Sequence, residues 1–153
     1  MIQKIRVKLD EGARLDAPAH PGDAGYDIYS REKKIIPPEG SGVFRTGVHI
    51  EIPRGYVGFL KSKSGLNVKH DLTGEGVIDS GYSGEIVAKL YNNGEASHLF
   101  DKGDKLIQLV ILPIITPPLE IVDEIESGPR GDRGFGSTDA PSDESCFPCG
   151  KKG

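Results

Sequence analysis

The chain has 153 residues, a formal net charge of −4 at pH 7, no tryptophan and 7% aromatic residues. This length suits one domain with a proper hydrophobic core and is too short for two comfortable ones. The negative charge argues against a protein that binds nucleic acid through a general basic face, although a small cationic pocket is still possible.

The first segment, Met1–Asp10, alternates charged with apolar residues from Lys4 onward and contains no apolar run. It therefore lacks the form of a secretory signal, and no later window reaches the roughly 18 apolar residues that a membrane span requires. Both cysteines, Cys146 and Cys149, lie close to the C-terminus, which argues against a disulfide-stapled secreted fold. We expect a cytoplasmic protein that contacts no membrane.

Short alternating segments predict β-strands along most of the chain. Apolar residues alternate with polar ones in three segments: Ile5–Leu9, Val48–Ile52 and Ile86–Leu90. Glycine- and proline-rich turns separate the segments, and no long window keeps a helical period. The pattern favours an all-β fold, namely a sandwich, a jelly roll or a small barrel.

The segment Leu106–Leu112 is apolar on both faces except at Gln108. Both faces of such a strand need cover, and in a chain this short a second subunit is a natural cover, so we expect a homo-oligomer. A buried amide needs hydrogen-bond partners. Gln108 can bond either the backbone or a ligand, and the sequence leaves both alternatives open.

Two aspartates lie in glycine-containing segments. Asp27 lies in Ala24–Ser30, and Asp79 lies with Tyr82 in Gly76–Gly84, which we predict to be a hairpin tip. An acid and an aromatic ring on a rigid turn can place a catalytic base beside a planar ligand. Turn capping is the common use of an aspartate near glycine and is the alternative for both.

Two further segments have the residue types that bind phosphate. Lys61–Leu66 places two lysines, two hydroxyls and a glycine at a strand end, where a helical turn can begin. Arg130–Thr138 combines a guanidinium, hydroxyls, glycines and a ring. The alternative for Lys61–Leu66 is a solvated basic turn. The alternative for Arg130–Thr138 is a flexible linker, because the composition from Ser127 onward is typical of a mobile tail.

The histidines and cysteines show no catalytic or metal-binding pattern. The four histidines are scattered without metal-ligand spacing, and we expect them to be ordinary surface or packing residues: His20, His49, His70 and His98. One CxxC pair, Cys146 and Cys149, supplies only half of a tetrahedral zinc site. Incidental tail residues, metal capture and redox chemistry remain alternatives for this pair.

Taken in order, five segments resemble the motifs of the trimeric deoxyuridine triphosphatase family: Ala24–Ser30, Lys63–Leu66, Gly76–Gly84, Lys102–Leu109 and Arg130–Thr138. The resemblance covers about residues 3–139. It implies a jelly-roll-like subunit, a homotrimer with active sites at the subunit interfaces, and hydrolysis of dUTP to dUMP and pyrophosphate with Mg²⁺. The change in composition at Ser127 and the resemblance together predict a β core over residues 1–126 and a site-closing tail motif over 127–139. The extension over 140–153, which the resemblance does not cover, is predicted to be disordered from its composition.

The resemblance implies a role for each matched residue. Asp79 would be the general base for the water that attacks the α-phosphorus, and Asp27 would hold Mg²⁺ through water. Tyr82 would pack under the deoxyribose. The other matched residues would bind substrate. Uracil would be read by the hairpin limbs, which include Gly76, Val77, Ile78 and Val87. Phosphates would be bound by Lys63, Ser64, Gly65 and Gln108. The tail would bring Arg130, Ser137 and Thr138 to the γ-phosphate and Phe135, beside Gly136, over uracil.

The chain departs from the family pattern at a few positions. Lys63 stands where arginine is usual, Gly81 stands where a second acid is common, and Arg133 and Asp139 replace tail glycines. Gly81 also fits the related dCTP deaminases, but Lys89 stands where their glutamate base would be. A nucleotide-dependent regulatory protein on the same scaffold, with a partner protein that the sequence does not identify, is the other alternative.

Overall fold

A computed structural model describes residues 4–132 of the chain. The strands are β1 Val7–Leu9, β2 Leu15–Asp16, β3 Gly25–Tyr29, β4 Lys34–Ile36, β5 Ser41–Arg45, β6 Val48–Ile50, β7 Tyr56–Lys61, β8 Leu72–Thr73, β9 Glu75–Ile78, β10 Val87–Asn92, β11 His98–Phe100 and β12 Lys105–Pro113. One helix, α1, spans Ser64–His70. Within residues 4–132, no helix combines the length and apolar character that a membrane crossing needs.

The strands form four antiparallel sheets, so the all-β prediction is confirmed. The largest sheet has the order β2-β3-β12-β7-β9, and a second has the order β5-β10-β8. Two small ribbons pair β1 with β6 and β4 with β11. Most neighbouring strands are distant in sequence, and their buried apolar side chains form one hydrophobic core.

Alternating strands bury one face each in this core. Phe44 of β5 and Phe100 of β11 meet edge to face with ring centroids 5.3 Å apart, and Ala88 and Leu90 of β10 are fully buried. The alternation predicted at Val48–Ile52 and Ile86–Leu90 is therefore confirmed. The alternation in β1 is not matched by burial, because Val7 is 42% exposed in the single chain.

Strand β12 lies between β3 and β7, and a bulge at its start sets which side chains face the core. The pairing passes from Lys105 opposite Tyr29 directly to Ile107 opposite Ile28, which leaves Leu106 as the extra residue. Leu106 and Ile107 are consequently both buried. On the face away from the core, Val110 is only half-buried, so this face is partly open in one subunit.

The predicted hairpin is paired only at its base. There β8 pairs with β10, through Thr73 opposite Tyr91. Strand β9 then joins the large sheet through β7, whereas β10 pairs with β5. The two limbs separate because each buries its apolar face in its own sheet, and no ladder joins β9 to β10 within residues 4–132.

The compact unit formed by the first part of the chain ends at Thr116, earlier than the core boundary predicted at residue 126. The described part of the second unit, residues 117–132, contains no strand or helix. Pro117 and Pro118 lack the N–H groups that a ladder needs. Three apolar side chains of this segment are between 88% and 99% exposed: Leu119, Ile121 and Ile125.

Candidate active site

Asp27 is the centre of a charged cluster at one end of the large sheet. Strand β3 places it opposite Gln108 of β12. Its Oδ1 forms an ion pair with Lys63, and its Oδ2 lies 2.7 Å from Nζ of Lys105. The Asp27 side chain is 15% exposed. One carboxylate between two ammonium groups leaves an excess positive charge that suits a polyanion.

The two lysines keep this carboxylate ionised. Burial alone would raise the pKa of Asp27, but hydrogen bonds from Lys105 and Lys63 outweigh burial and hold that pKa below its usual range. The same contact with Asp27 raises the pKa of Lys105. Asp27 and Lys105 therefore keep opposite charges throughout the neutral pH range.

Helix α1 begins directly after Lys63, as the sequence suggested. Lys63 is the extended N-cap residue, and its ammonium group cannot accept a hydrogen bond, so its side chain does not cap the first-turn N–H groups. Ser64 lines an open cleft of about 850 Å³ together with Ser62. Gly65 lines a second, smaller cavity of about 370 Å³ with Lys63 and Lys105. Gly65 thus shares a cavity with the two lysines of the Asp27 cluster, whereas Ser64 lines a different cleft.

Gln108 is held in this cluster by a close fit against Gly25. Its Nε2 donates a hydrogen bond of 3.0 Å to the carbonyl oxygen of Ser62. A Cβ atom on Gly25 would lie 2.2 Å from Oε1 of Gln108, so any side chain at position 25 would displace the amide. The structure shows the backbone partner for Gln108, and contact with a ligand stays a prediction.

The turn Asp79–Tyr82 presents the predicted acid to solvent and fixes the ring. The N–H of Tyr82 donates to the carbonyl oxygen of Asp79 at 3.2 Å, and Gly81 has a φ of 90°. The Tyr82 hydroxyl donates to the carbonyl oxygen of Glu85 at 2.9 Å. The Asp79 side chain is exposed and makes no hydrogen bond to residues 4–132.

The separated limbs β9 and β10 leave facing strand edges without a ladder. Gly76 of β9 lies over Leu60, where an added Cβ would be 3.0 Å from Cδ1. Ile78 is buried in the core, whereas Val77 and Val87 are 59% and 44% exposed. Peptide N–H and C=O groups along these edges have the donors and acceptors needed to read a planar base.

One chain does not bring all the predicted residues together. Lys61 pairs with Glu75 at one end of β7 and β9, and Gly58 pairs with Ile78 at the other end. These pairs are three residue steps apart along the strand, which corresponds to about 10 Å. Asp79 lies beyond one end and Ser64 beyond the other. Within one chain, Asp79 and Ser64 therefore follow opposite ends of this strand pair.

The tail residues are described only in part. Arg130 belongs to the second unit, in a turn where the N–H of Gly131 donates to the carbonyl oxygen of Gly128 at 2.9 Å. The other predicted tail residues lie outside the described residues: Phe135, Gly136, Ser137 and Thr138. Their roles, like that of Arg130, stay predictions.

Sequence reasoning missed two charged residues that support the site. Lys105 forms an ion pair with Asp27, as Lys63 does. In the sequence, its indication was the position of a lysine shortly after the glycine turn at Gly103. Glu85 accepts a hydrogen bond of 2.8 Å from the N–H of Gly47 and forms an ion pair of 2.6 Å with Arg45. No local pattern marked Glu85, because its partners lie about 40 residues away in sequence.

The sequence of the chain is similar to the sequences of known proteins. A family model for dUTPase matches residues 12–139. The chain is 40% identical over 141 residues to a deoxyuridine 5'-triphosphate nucleotidohydrolase of Clostridium acetobutylicum, which covers 90% of this chain and 97% of that protein. It is 42% identical over 139 residues to a protein of the same name from Paramecium bursaria Chlorella virus 1, which covers 90% and 99%.

Solved structures agree and confirm the jelly-roll-like fold. A mutant dUTPase of phage 80alpha superposes with a TM-score of 0.83 at 37% identity, over 90% of this chain and 99% of that chain. Staphylococcus bacteriophage 80alpha dUTPase with dUpNHpp gives 0.80 at 35% identity, over 89% and 98%. A mutant dUTPase from phage phi11 of S. aureus, described with a structural Mg(II) ion, gives 0.75 at 36% identity, over 82% and 100%.

Proposed function

The chain belongs to the dUTPase family, and from that premise we propose that it hydrolyses dUTP to dUMP and pyrophosphate at sites shared between the subunits of a homotrimer. One observation carries the proposal: the exposed Asp79 carboxylate stands on a turn that also fixes Tyr82 by the bond from its hydroxyl to Glu85. A general base needs a carboxylate that is open to water and not already engaged.

In the proposed reaction, Asp79 accepts a proton from the water that attacks the α-phosphorus. The new P–O bond forms as the bond from this phosphorus to the bridging oxygen breaks, and pyrophosphate leaves. Substrate phosphates lie at the Asp27 cluster, where charge and donors come from Lys63, Ser64, Gly65 and Gln108. These groups position the triphosphate and neutralise its oxygens, which are the main requirements of phosphoryl chemistry.

Selectivity for a deoxyuridine nucleotide follows from the turn and the open limbs. The Tyr82 ring lies against Gly84, where a Cβ would be 2.4 Å from the tyrosine hydroxyl, so the ring has little freedom to move. A fixed ring under the sugar leaves no room for a 2'-hydroxyl. Peptide groups of Gly76, Val77, Ile78 and Val87 read uracil between the limbs, and their close approach excludes a 5-methyl group.

The residues of this site could hold Mg²⁺ only if the substrate supplies most of the ligands of the ion. Both carboxylate oxygens of Asp27 are already engaged by lysines, and residues 4–132 contain no group of three or more His, Cys, Asp or Glu side chains that could hold a metal. Mg²⁺ commonly binds through substrate phosphates and water with few protein ligands. Asp27 would hold the ion through water, and the ion would neutralise phosphate charge.

The trimer is proposed from the separation of Asp79 and Ser64 within one chain. Because these groups lie beyond opposite ends of β7 and β9, a complete site needs Asp79 from one subunit and the Asp27 cluster from another. The half-open face of β12 and the exposed apolar side chains of residues 117–126 also require cover. A threefold ring supplies three equivalent shared sites.

Hybrid trimers test the shared site. Subunits with Asp79→Asn and subunits with both Lys63→Ala and Gln108→Ala should each be nearly inactive alone. Mixed in equal amounts and reassembled, they should regain about a quarter of wild-type activity, because half of the clusters are intact and half of those face an intact Asp79. A mixture that is no more active than its components would contradict sharing between subunits. Unmixed trimers at the same total concentration are the control.

The substrate is tested by the release of pyrophosphate with Mg²⁺ from four nucleotides measured side by side: dUTP, dTTP, dCTP and UTP. Release from dUTP alone is expected, because Tyr82 excludes the ribose and the limbs exclude the 5-methyl group. Ammonia from dCTP would instead favour a deaminase, although Lys89 is an exposed lysine over Tyr91 and not an acid. Binding of dUTP without turnover would favour the regulatory alternative.

A further inference from the structure

His49 connects the turn that carries Asp79 and Tyr82 to the β1-β6 ribbon. The residue lies on β6, opposite Lys8 of β1. One ring nitrogen, Nε2, lies 3.0 Å from Oδ2 of Asp10, and the other, Nδ1, lies 3.1 Å from the carbonyl oxygen of Ser83. The His49 side chain is 20% exposed. A histidine that the sequence suggested to be ordinary thus bridges two elements.

Both partners of this ring are hydrogen-bond acceptors. A carboxylate and a backbone carbonyl have no proton to donate, so the two contacts together require an N–H on each ring nitrogen. Only the imidazolium form has both. Neutral imidazole can keep one N–H, and the charged Asp10 carboxylate is the stronger acceptor. On deprotonation, the bond to Ser83 is therefore the one that is lost.

We propose that His49 is a positioning residue that anchors the end of the Asp79–Tyr82 turn through Ser83, and that this anchor exists only while its ring is doubly protonated. This inference rests on the proposed function for its effect on turnover, but the anchoring itself does not depend on the substrate. Ser83 directly follows Tyr82 in the chain, so the loss of its contact with His49 removes one of the contacts that orient the ring and the acid, while the bonds from Tyr82 to Asp79 and Glu85 remain.

The charges around the ring favour the doubly protonated form. The hydrogen bond to Asp10, followed by that to Ser83, raises the pKa of His49 above its ordinary value of 6.5, against opposing effects of burial and Lys8. The remaining groups of the same groove are Arg6, Glu51 and Tyr82, and Arg6 and Glu51 pair with each other. Because the pKa is raised, the anchor is complete below pH 6.5 and is lost as the pH rises through the folded-state value.

Nitrogen NMR of the His49 ring in the intact protein tests the anchor without any assay of turnover. We expect two protonated ring nitrogens at low pH and a transition midpoint above 6.5, with the amide signals of Ser83 and Gly84 shifting at the same midpoint. Asp10→Asn removes the carboxylate charge and should lower that midpoint. A midpoint at or below 6.5, or amide signals that do not follow the ring, would overturn the proposal.

The pH dependence of kcat/KM for dUTP tests the consequence for the site. The wild type should show a fall of about fivefold through the His49 transition, the size expected for loss of one hydrogen bond. His49→Gln should lack this step, because its amide does not titrate, and Asp10→Asn should move the step to lower pH. His20→Gln, at an exposed histidine, should keep it. A step that persists in His49→Gln would overturn the positioning role, whereas no turnover in any variant would count against the proposed function alone.

Discussion

Replacing Asp79 by asparagine should lower kcat for dUTP by about 10²–10⁴-fold, the usual contribution of a general base. The amide is nearly isosteric with the carboxylate but cannot accept the proton of the attacking water. Nucleotide binding should change little, because the Asp79 side chain makes no hydrogen bond within residues 4–132 and only its carbonyl oxygen supports the turn. Turnover by steady-state pyrophosphate release and affinity by calorimetry with a non-hydrolysable analogue measure the two effects separately.

Asp101→Asn is the matched control for this substitution. Asp101 is also an exposed aspartate next to a turn, and its ion pair with Lys33 at 3.6 Å is open to solvent on both sides. Exposed ion pairs contribute little to stability. Removing the pair between Asp101 and Lys33 should therefore leave the fold intact and both turnover and nucleotide binding near wild type. Near-wild-type kcat in Asp79→Asn would show that another group activates the water.

Ending the chain at Ser127 should reduce dUTP turnover by about 10²-fold or more, because it removes the donors proposed to close over the triphosphate. The deleted residues include Arg130, Phe135, Ser137 and Thr138. The compact unit ends at Thr116, so the β core should keep its circular dichroism spectrum and thermal midpoint. Steady-state kinetics on the shortened and full-length chains measure the effect.

A second truncation locates the contribution within the tail. A chain that ends at Asp139 keeps the whole predicted closing motif and loses only residues 140–153, including Cys146 and Cys149. Its turnover should match that of the full chain under reducing conditions. Equal losses in the two truncated chains would instead assign the effect to the terminal extension and argue against the proposed role of residues 127–139.

Local alternation predicted three of the twelve strands, β1, β6 and β10, but not their partners. Val48–Ile52 and Ile86–Leu90 bury the residues that a period of two predicts. The same period cannot reveal that β9 leaves β10 and joins β7, because that choice depends on which sheet offers a core for Ile78. Likewise, β1 has a strand pattern, but Val7 has no covering layer within the single chain.

The motifs predicted which residues could form a site, and the structure brings three of them close together, although their roles stay predictions. Asp27, Lys63 and Gln108 meet as the motif order implied. The residues that contact these motif residues from other strands were not predictable, because their contacts depend on the pairing of strands that are distant in sequence. Lys105 reaches Asp27 only through the register of β12 with β3. The role of His49 depends on Asp10 and Ser83, which are 39 and 34 residues away in sequence.

The bulge at the start of β12 makes the length of this segment as important as its composition. In an unbroken ladder, Leu106 would stand opposite Tyr29 and so share a face with Asp27, and Lys105 would point toward the core. The one extra residue exchanges these two directions while Gln108 keeps its place opposite Asp27. Deleting Leu106 would remove the bulge and leave Lys105 on the face of Asp27, but the core would lose a fully buried side chain.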